Sequence, residues 1–163
     1  MTTTRSAATY TARPISPEAL RDLRTGTDDA GRPMAPFTDE EGGAPLRCCL
    51  RRSEPGESIA LVSYAPLRRW AAGTGADPGA YDEQGPVFVH AEPCPGPTGP
   101  ALPFTDAHRV LRRYSADGRI LGGRLVDDDF PSALTEAFAD PEVAVVHVRA
   151  VEYGCFLYEV RRG

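Results

Sequence analysis

The stretch Val143–Val160, VAVVHVRAVEYGCFLYEV, reads as two β-prone runs joined by a short turn at Glu152-Tyr153-Gly154. Both runs are rich in β-branched and aromatic residues, and the turn interrupts them at a glycine, the pattern of a hairpin. Alternate side chains of a strand face opposite ways. Val143, Val145, His147 and Arg149 therefore share one face, and Ala144, Val146, Val148 and Ala150 the other. A strand that is apolar on both faces is expected in the middle of a sheet. His147 and Arg149 then need partners, because a buried unpaired guanidinium is very costly. Two readings follow: a structural network closed by Glu159 or a loop acid, or a functional site.

Outward from this hairpin, the same logic places a second one. Arg109–Tyr114 and Arg119–Val126 flank the turn sequence SADG, with Gly118 at its end. A third is expected where LRCCLRR (Leu46–Arg52) and SIALVSY (Ser58–Tyr64) flank Pro55-Gly56. PVFVH (Pro86–His90) and Ala8–Ile15 read as short strands. Two short helices are expected. Ser16–Arg24 begins with Ser at the N-cap and Pro at the first helical position. Asp127–Asp140 has an acidic first turn and apolar Leu134 and Phe138 four residues apart. Residues 25–45, 65–85 and 91–103 read as long loops, and residues 1–7 as a frayed polar end. The expected class is α+β: one domain over residues 1–163, a mainly antiparallel sheet of hairpins with two short helices packed on it.

Composition narrows the chemistry. All 18 basic residues are arginine, and asparagine is also absent. Without lysine there is no Schiff base and no Walker-type phosphate lysine. Without asparagine there is no N-glycosylation acceptor. A net charge of −5 argues against nucleic acid or an anionic membrane as the main partner. No apolar run approaches the roughly 18 residues that span a bilayer, and MTTTRSAATYTARP carries no secretory h-region. A cytoplasmic location is expected, with the four cysteines reduced.

The blocks LRCCLRRSEPGESIALVSYAP, GPVFVHAEPC and DPEVAVVHVRAVEYGCFLYEV, in this order, resemble the bacterial family catalogued as domain of unknown function 1203. The resemblance runs from Pro45 to the C-terminus. It implies one cytosolic bacterial domain and carries no activity.

The residues themselves suggest where chemistry would sit. His147 and His90 are the candidate acid/base residues, and Cys155, across a short turn from the His147 strand, the candidate nucleophile. Arg47, Arg51, Arg113 and Arg149, with Tyr64, are the candidate substrate-binding set, since Arg grips carboxylate or phosphate bidentately. Cys49 lies between two arginines, and His108 is expected at the surface. His90 and Cys94 make an H-x₃-C spacing. Two histidines and two or three thiols could build a tetrahedral zinc site, but there is no C-x-x-C pair and the adjacency of Cys48 and Cys49 is poor ligand geometry, so no metal and no cofactor are expected. No G-x-S-x-G, G-x-G-x-x-G or H-E-x-x-H pattern occurs.

The leading expectation is a small cofactor-independent enzyme acting on an anionic metabolite by histidine acid/base chemistry in an arginine-lined pocket. A non-catalytic module binding a small anion, and a structural or partner-binding domain, with a homodimer through an edge strand, stand beside it. The first needs His90, His147, Arg51 and Arg149 to converge.

Overall fold

The computed structural model describes residues 10–162. The expected frayed end, and Ala8 and Thr9 of the expected first strand, lie outside them. Two antiparallel sheets carry the chain. One has the order β1-β2-β3, from Phe37–Asp39, Glu57–Tyr64 and Gly85–His90. The other has the order β5-β4-β6-β7, from Ile120–Val126, Arg109–Ser115, Val143–Ala150 and Phe156–Arg161. The α+β class holds, with helices α1 (Pro17–Thr25), α2 (Pro66–Thr74) and α3 (Phe130–Ala139). β6 is an interior strand, as its two apolar faces require.

Each long element forms for a local reason. The Ser16 side chain accepts from the backbone N–H of Ala19, Pro17 opens α1, and Leu20 and Leu23 are buried. Such burial stabilises by roughly 1.5–3 kcal/mol per leucine. Asp129 caps α3 by accepting from Ser132 N–H, and Leu134 and Phe138 turn into the core. There they meet Val146 and Val148 from one face of β6. The opposite face of β6 brings Val145 against Tyr114 and against Leu67, Trp70 and Ala71 of α2.

Three expectations change. First, the single sheet is two, joined edge to edge by short pieces of backbone. Arg47 N–H donates to Phe88 O of β3, Ile15 N–H to Arg47 O, and Arg13 pairs with Glu159 of β7. Among the described residues, the expected first strand is reduced to this bridge. Second, LRCCLRR is a tight turn, not a strand. Pro45 bridges Arg52, Leu46 N–H donates to Arg51 O, and Leu50 sits at φ 58°. Third, the loops at 25–45 and 65–85 contain β1, α2 and a short 3-10 helix at Gly79–Tyr81. No helix among the described residues is long and apolar enough to cross a membrane.

Candidate functional site

The turn at residues 46–52 positions most of the chemistry. Its base is held by Asp39, which accepts from Ser53 Oγ and Gly42 N–H, while Ser53 Oγ accepts from Ala44 N–H. Gly42 has φ +75°, and a Cβ there would lie 2.9 Å from Pro55 Cδ and 3.0 Å from the backbone O of Ser53. Only glycine fits this corner. The turn then sends its side chains in different directions. Arg47 goes between the sheets, Cys48 and Cys49 toward the end of β3, and Arg51 and Arg52 outward.

Arg47 is 3% exposed. Its Nε donates to Phe156 O at 2.7 Å and its Nη1 to Pro45 O. Burial pushes the guanidinium down to about 10, and no carboxylate among the described residues pairs with it. Arg47 lines a cleft of about 940 Å³ together with Arg52, Arg109, Asp106, His108 and Cys155. Arg109 is buried and gives Nε to Phe104 O. Arg52 gives Nη1 to Gly43 O and lies over the Phe104 ring. The exposed Asp106 stands 3.5 Å from Arg52 and 3.6 Å from Arg109. Leu61 and Phe88 supply an apolar wall. Such a cleft suits a small molecule with an anionic group and an apolar body.

A second cluster lies at the end of β3. His90 Nε2 donates to Glu57 Oε2 at 2.7 Å, and Glu57 is gripped by both Nη atoms of Arg51 at 2.9 and 3.0 Å. That grip holds the Glu57 carboxyl well below the usual carboxylate range. With the Nε2 proton so committed, His90 Nδ1 faces Cys48 Sγ at 3.3 Å and Cys49 Sγ at 3.8 Å. Cys94 joins them: one donor atom from each of Cys48, Cys49, His90 and Cys94 falls within 4.8 Å of all the others. The adjacent cysteines converge because the turn does not alternate its side chains as a strand would.

His147 is elsewhere. It is fully buried, its Nε2 lies 3.1 Å from Glu159 Oε1, and its ring packs on Tyr114 and Phe156. Arg161 holds the other oxygen of Glu159 at 2.7 Å. Arg149 donates to Gly154 O and to Glu83 Oε1. Of the two readings made from sequence, the structural network describes this pair's geometry.

The candidate residues thus fall into separate places. Arg47 and Cys155 share the large cleft. Tyr64, Arg149 and Cys155 line a smaller neighbouring one of about 220 Å³. Arg51 and His90 meet at Glu57. Arg113 lies one residue out of register with Arg112, the partner of His147, so it points to the opposite face of its sheet, toward α3. The convergence of His90, His147, Arg51 and Arg149 that a shared acid/base site needs is not found: His147 lines none of these clefts. Sequence reasoning missed Arg52, Arg109 and Glu57. Arg109 had a usable signal, standing at the start of a strand directly after a long loop.

No curated protein and no solved structure matches this chain. A family model matches residues 43–162, which include the 46–52 turn, both clusters and every strand from β2 onward. The chain belongs to the family described as protein of unknown function DUF1203.

Proposed function

We propose that the protein binds a small anionic molecule in the cleft lined by Arg47, Arg52 and Arg109, as a binding module rather than a histidine-dependent enzyme. The observation that carries this is Arg47: an almost fully buried guanidinium beside a cleft, satisfied by two carbonyl oxygens and no carboxylate. A buried cation without an anion is unfavourable, and a carboxylate or phosphate entering the cleft supplies the missing charge. Asp106 occupies the rim at long ion-pair distances from Arg52 and Arg109, so a better-placed anion can replace it. Binding is favoured over proton transfer because His147 has no exposure and both ring nitrogens of His90 face other groups. The same reading sets the chain in a reducing cytosol, where its four cysteines stay thiols.

Calorimetric titration with inorganic phosphate and with succinate, against chloride at equal ionic strength, tests this. Saturable binding of either probe is expected. Arg52→Gln removes one charge-assisted contact worth about 1.5–3 kcal/mol and should weaken it about tenfold to a hundredfold. Arg124→Gln, whose partner is Glu136 on α3, should bind as the parent does. No saturable binding, or equal binding by Arg52→Gln, overturns the reading.

A further inference from the structure

We propose that Cys48, Cys49, His90 and Cys94 form a four-ligand zinc site, closed by three sulfurs and Nδ1 of His90. The site is independent of the arginine cleft, which shares none of these four residues.

The donors come from three separate pieces of chain: the 46–52 turn, the last residue of β3, and the proline-rich connector that follows it. A tetrahedral zinc with bonds of about 2.3 Å to sulfur and about 2.1 Å to nitrogen sets its ligand atoms about 3.5 to 3.8 Å apart. The observed separations bracket this: 3.3 Å from His90 Nδ1 to Cys48 Sγ, 3.8 Å to Cys49 Sγ, and 4.0 Å between the two sulfurs. Cys94 lies within the same 4.8 Å limit.

The surroundings are arranged for a metal as much as the donors are. Glu57 accepts a hydrogen bond from the Nε2–H of His90, which fixes the tautomer and leaves the Nδ1 lone pair aimed at the sulfurs. Arg51 in turn fixes Glu57 through two hydrogen bonds. The backbone N–H of His90 donates to Cys48 Sγ at 3.2 Å, and Arg24 clamps His90 O with two nitrogens. These groups orient a ligating histidine and offset thiolate charge; a merely space-filling thiol needs neither. A groove of about 710 Å³, lined by Arg21, Arg24, Met34, Cys48 and Cys94, gives an entry path. As each sulfur takes its metal bond, any proton it carries leaves to solvent.

Three soft sulfurs and one imidazole in a closed tetrahedral set select zinc among common divalent ions, and leave no open position for catalysis. The role is structural. The metal would pin the connector at residues 91–97, which forms no helix or strand, to the turn and to β3.

The test uses the full chain purified without a histidine tag. Elemental analysis should find one zinc per chain. After chelation, cobalt(II) should restore one equivalent, with tetrahedral ligand-field bands and thiolate charge-transfer absorption. Cys94→Ser should lower the charge-transfer intensity and the affinity, while Cys155→Ser, outside the cluster, should leave both unchanged. Glu57→Gln should keep the bands and weaken zinc about tenfold to a hundredfold. If Cys94→Ser does not fold, competition of the parent chain with a chromophoric zinc chelator decides alone: a tight one-to-one site supports the proposal. Cobalt spectra without thiolate bands, no stoichiometric metal, or a disulfide within the cluster in freshly purified protein overturns it.

Discussion

His147 and Glu159 occupy directly paired positions of β6 and β7, with His147 Nε2 3.1 Å from Glu159 Oε1. Burial holds the imidazole below its ordinary 6.5, aided by the charges of Arg149 and Arg112 and only partly offset by Glu159. It is therefore neutral, with Nε2 as the donor and Nδ1 buried and unpartnered. Burial alone would raise Glu159, but the hydrogen bond from His147 and the charge of Arg161 bring it below its ordinary 4.5. Both shifts act in one direction. Below pH 6.5 the unfolded chain takes up a proton at His147 that the folded chain refuses, and stability falls. Below 4.5 the unfolded chain does the same at Glu159, and its contribution is lost as pH falls through the folded value. His147→Gln should cost about 2 kcal/mol at neutral pH through lost ring packing, and should flatten the upper part of the acid slope while keeping the lower. Urea unfolding midpoints of parent and variant across the mildly acidic range check this. Equal slopes would contradict a neutral buried His147.

Asp29 supports an equally specific expectation. Its Oδ2 accepts from Ala65 N–H at 2.6 Å, at the start of α2, and both its oxygens accept from the Arg69 guanidinium. Ala65 has no side chain to cap the helix, so a residue far away in sequence does it. Asp29→Ala should destabilise by about 2–3 kcal/mol, because charge-assisted bonds to a half-buried arginine are lost together with the cap. Glu40→Gln, on the exposed part of the same segment, should change stability by under about 0.5 kcal/mol. Thermal unfolding of the two variants separates them.

These residues also mark what was legible in the sequence. The β6–β7 hairpin, the SADG hairpin, α1 and α3 were readable because periodicity, cap and turn residues lie within each segment. α2 was not, since PLRRWAAGT follows an alanine and takes its cap from Asp29, thirty-six residues earlier. The segment at 25–45 read as a long loop, yet Asp28 and Asp29 staple it to the end of β2 and the start of α2. LRCCLRR alternates like a strand. Its turn is fixed by Gly42, Ser53 and Asp39, none of which lies within it. The same turn brings the adjacent Cys48 and Cys49 together, against the expectation of poor ligand geometry, and sends Arg47 and Arg51 to separate places rather than to one binding set.

The Gly42 corner yields a sharper prediction. Alanine there meets Pro55 and the Ser53 carbonyl at or below 3.0 Å, and requires a left-handed φ that costs about 1 kcal/mol in itself. Gly42→Ala should destabilise by about 2 kcal/mol or more, as the crowding atoms belong to a proline ring and backbone that cannot swing away. Gly43→Ala, with φ +87° and nothing within 4 Å of its Cβ, carries only the conformational part. The difference between the two unfolding free energies isolates the clash. A Gly42→Ala variant no worse than Gly43→Ala would mean that the base of the turn yields.

Cys155 offers a chemical readout of the cleft. It is partly exposed and lines both the large cleft with Arg47 and the small one with Arg149, whereas Cys48 and Cys49 are buried. Iodoacetamide should therefore label Cys155 ahead of Cys48 and Cys49, as mass spectrometry of digests can follow. Phosphate bound between Arg47, Arg52 and Arg109 stands against the Cys155 wall, so it should slow labelling there severalfold and leave Cys94 unaffected. Arg52→Gln should abolish that protection. Protection at Cys94 instead would move the anion to the groove beside His90, and uniform labelling with and without phosphate would leave the arginine cleft without a ligand.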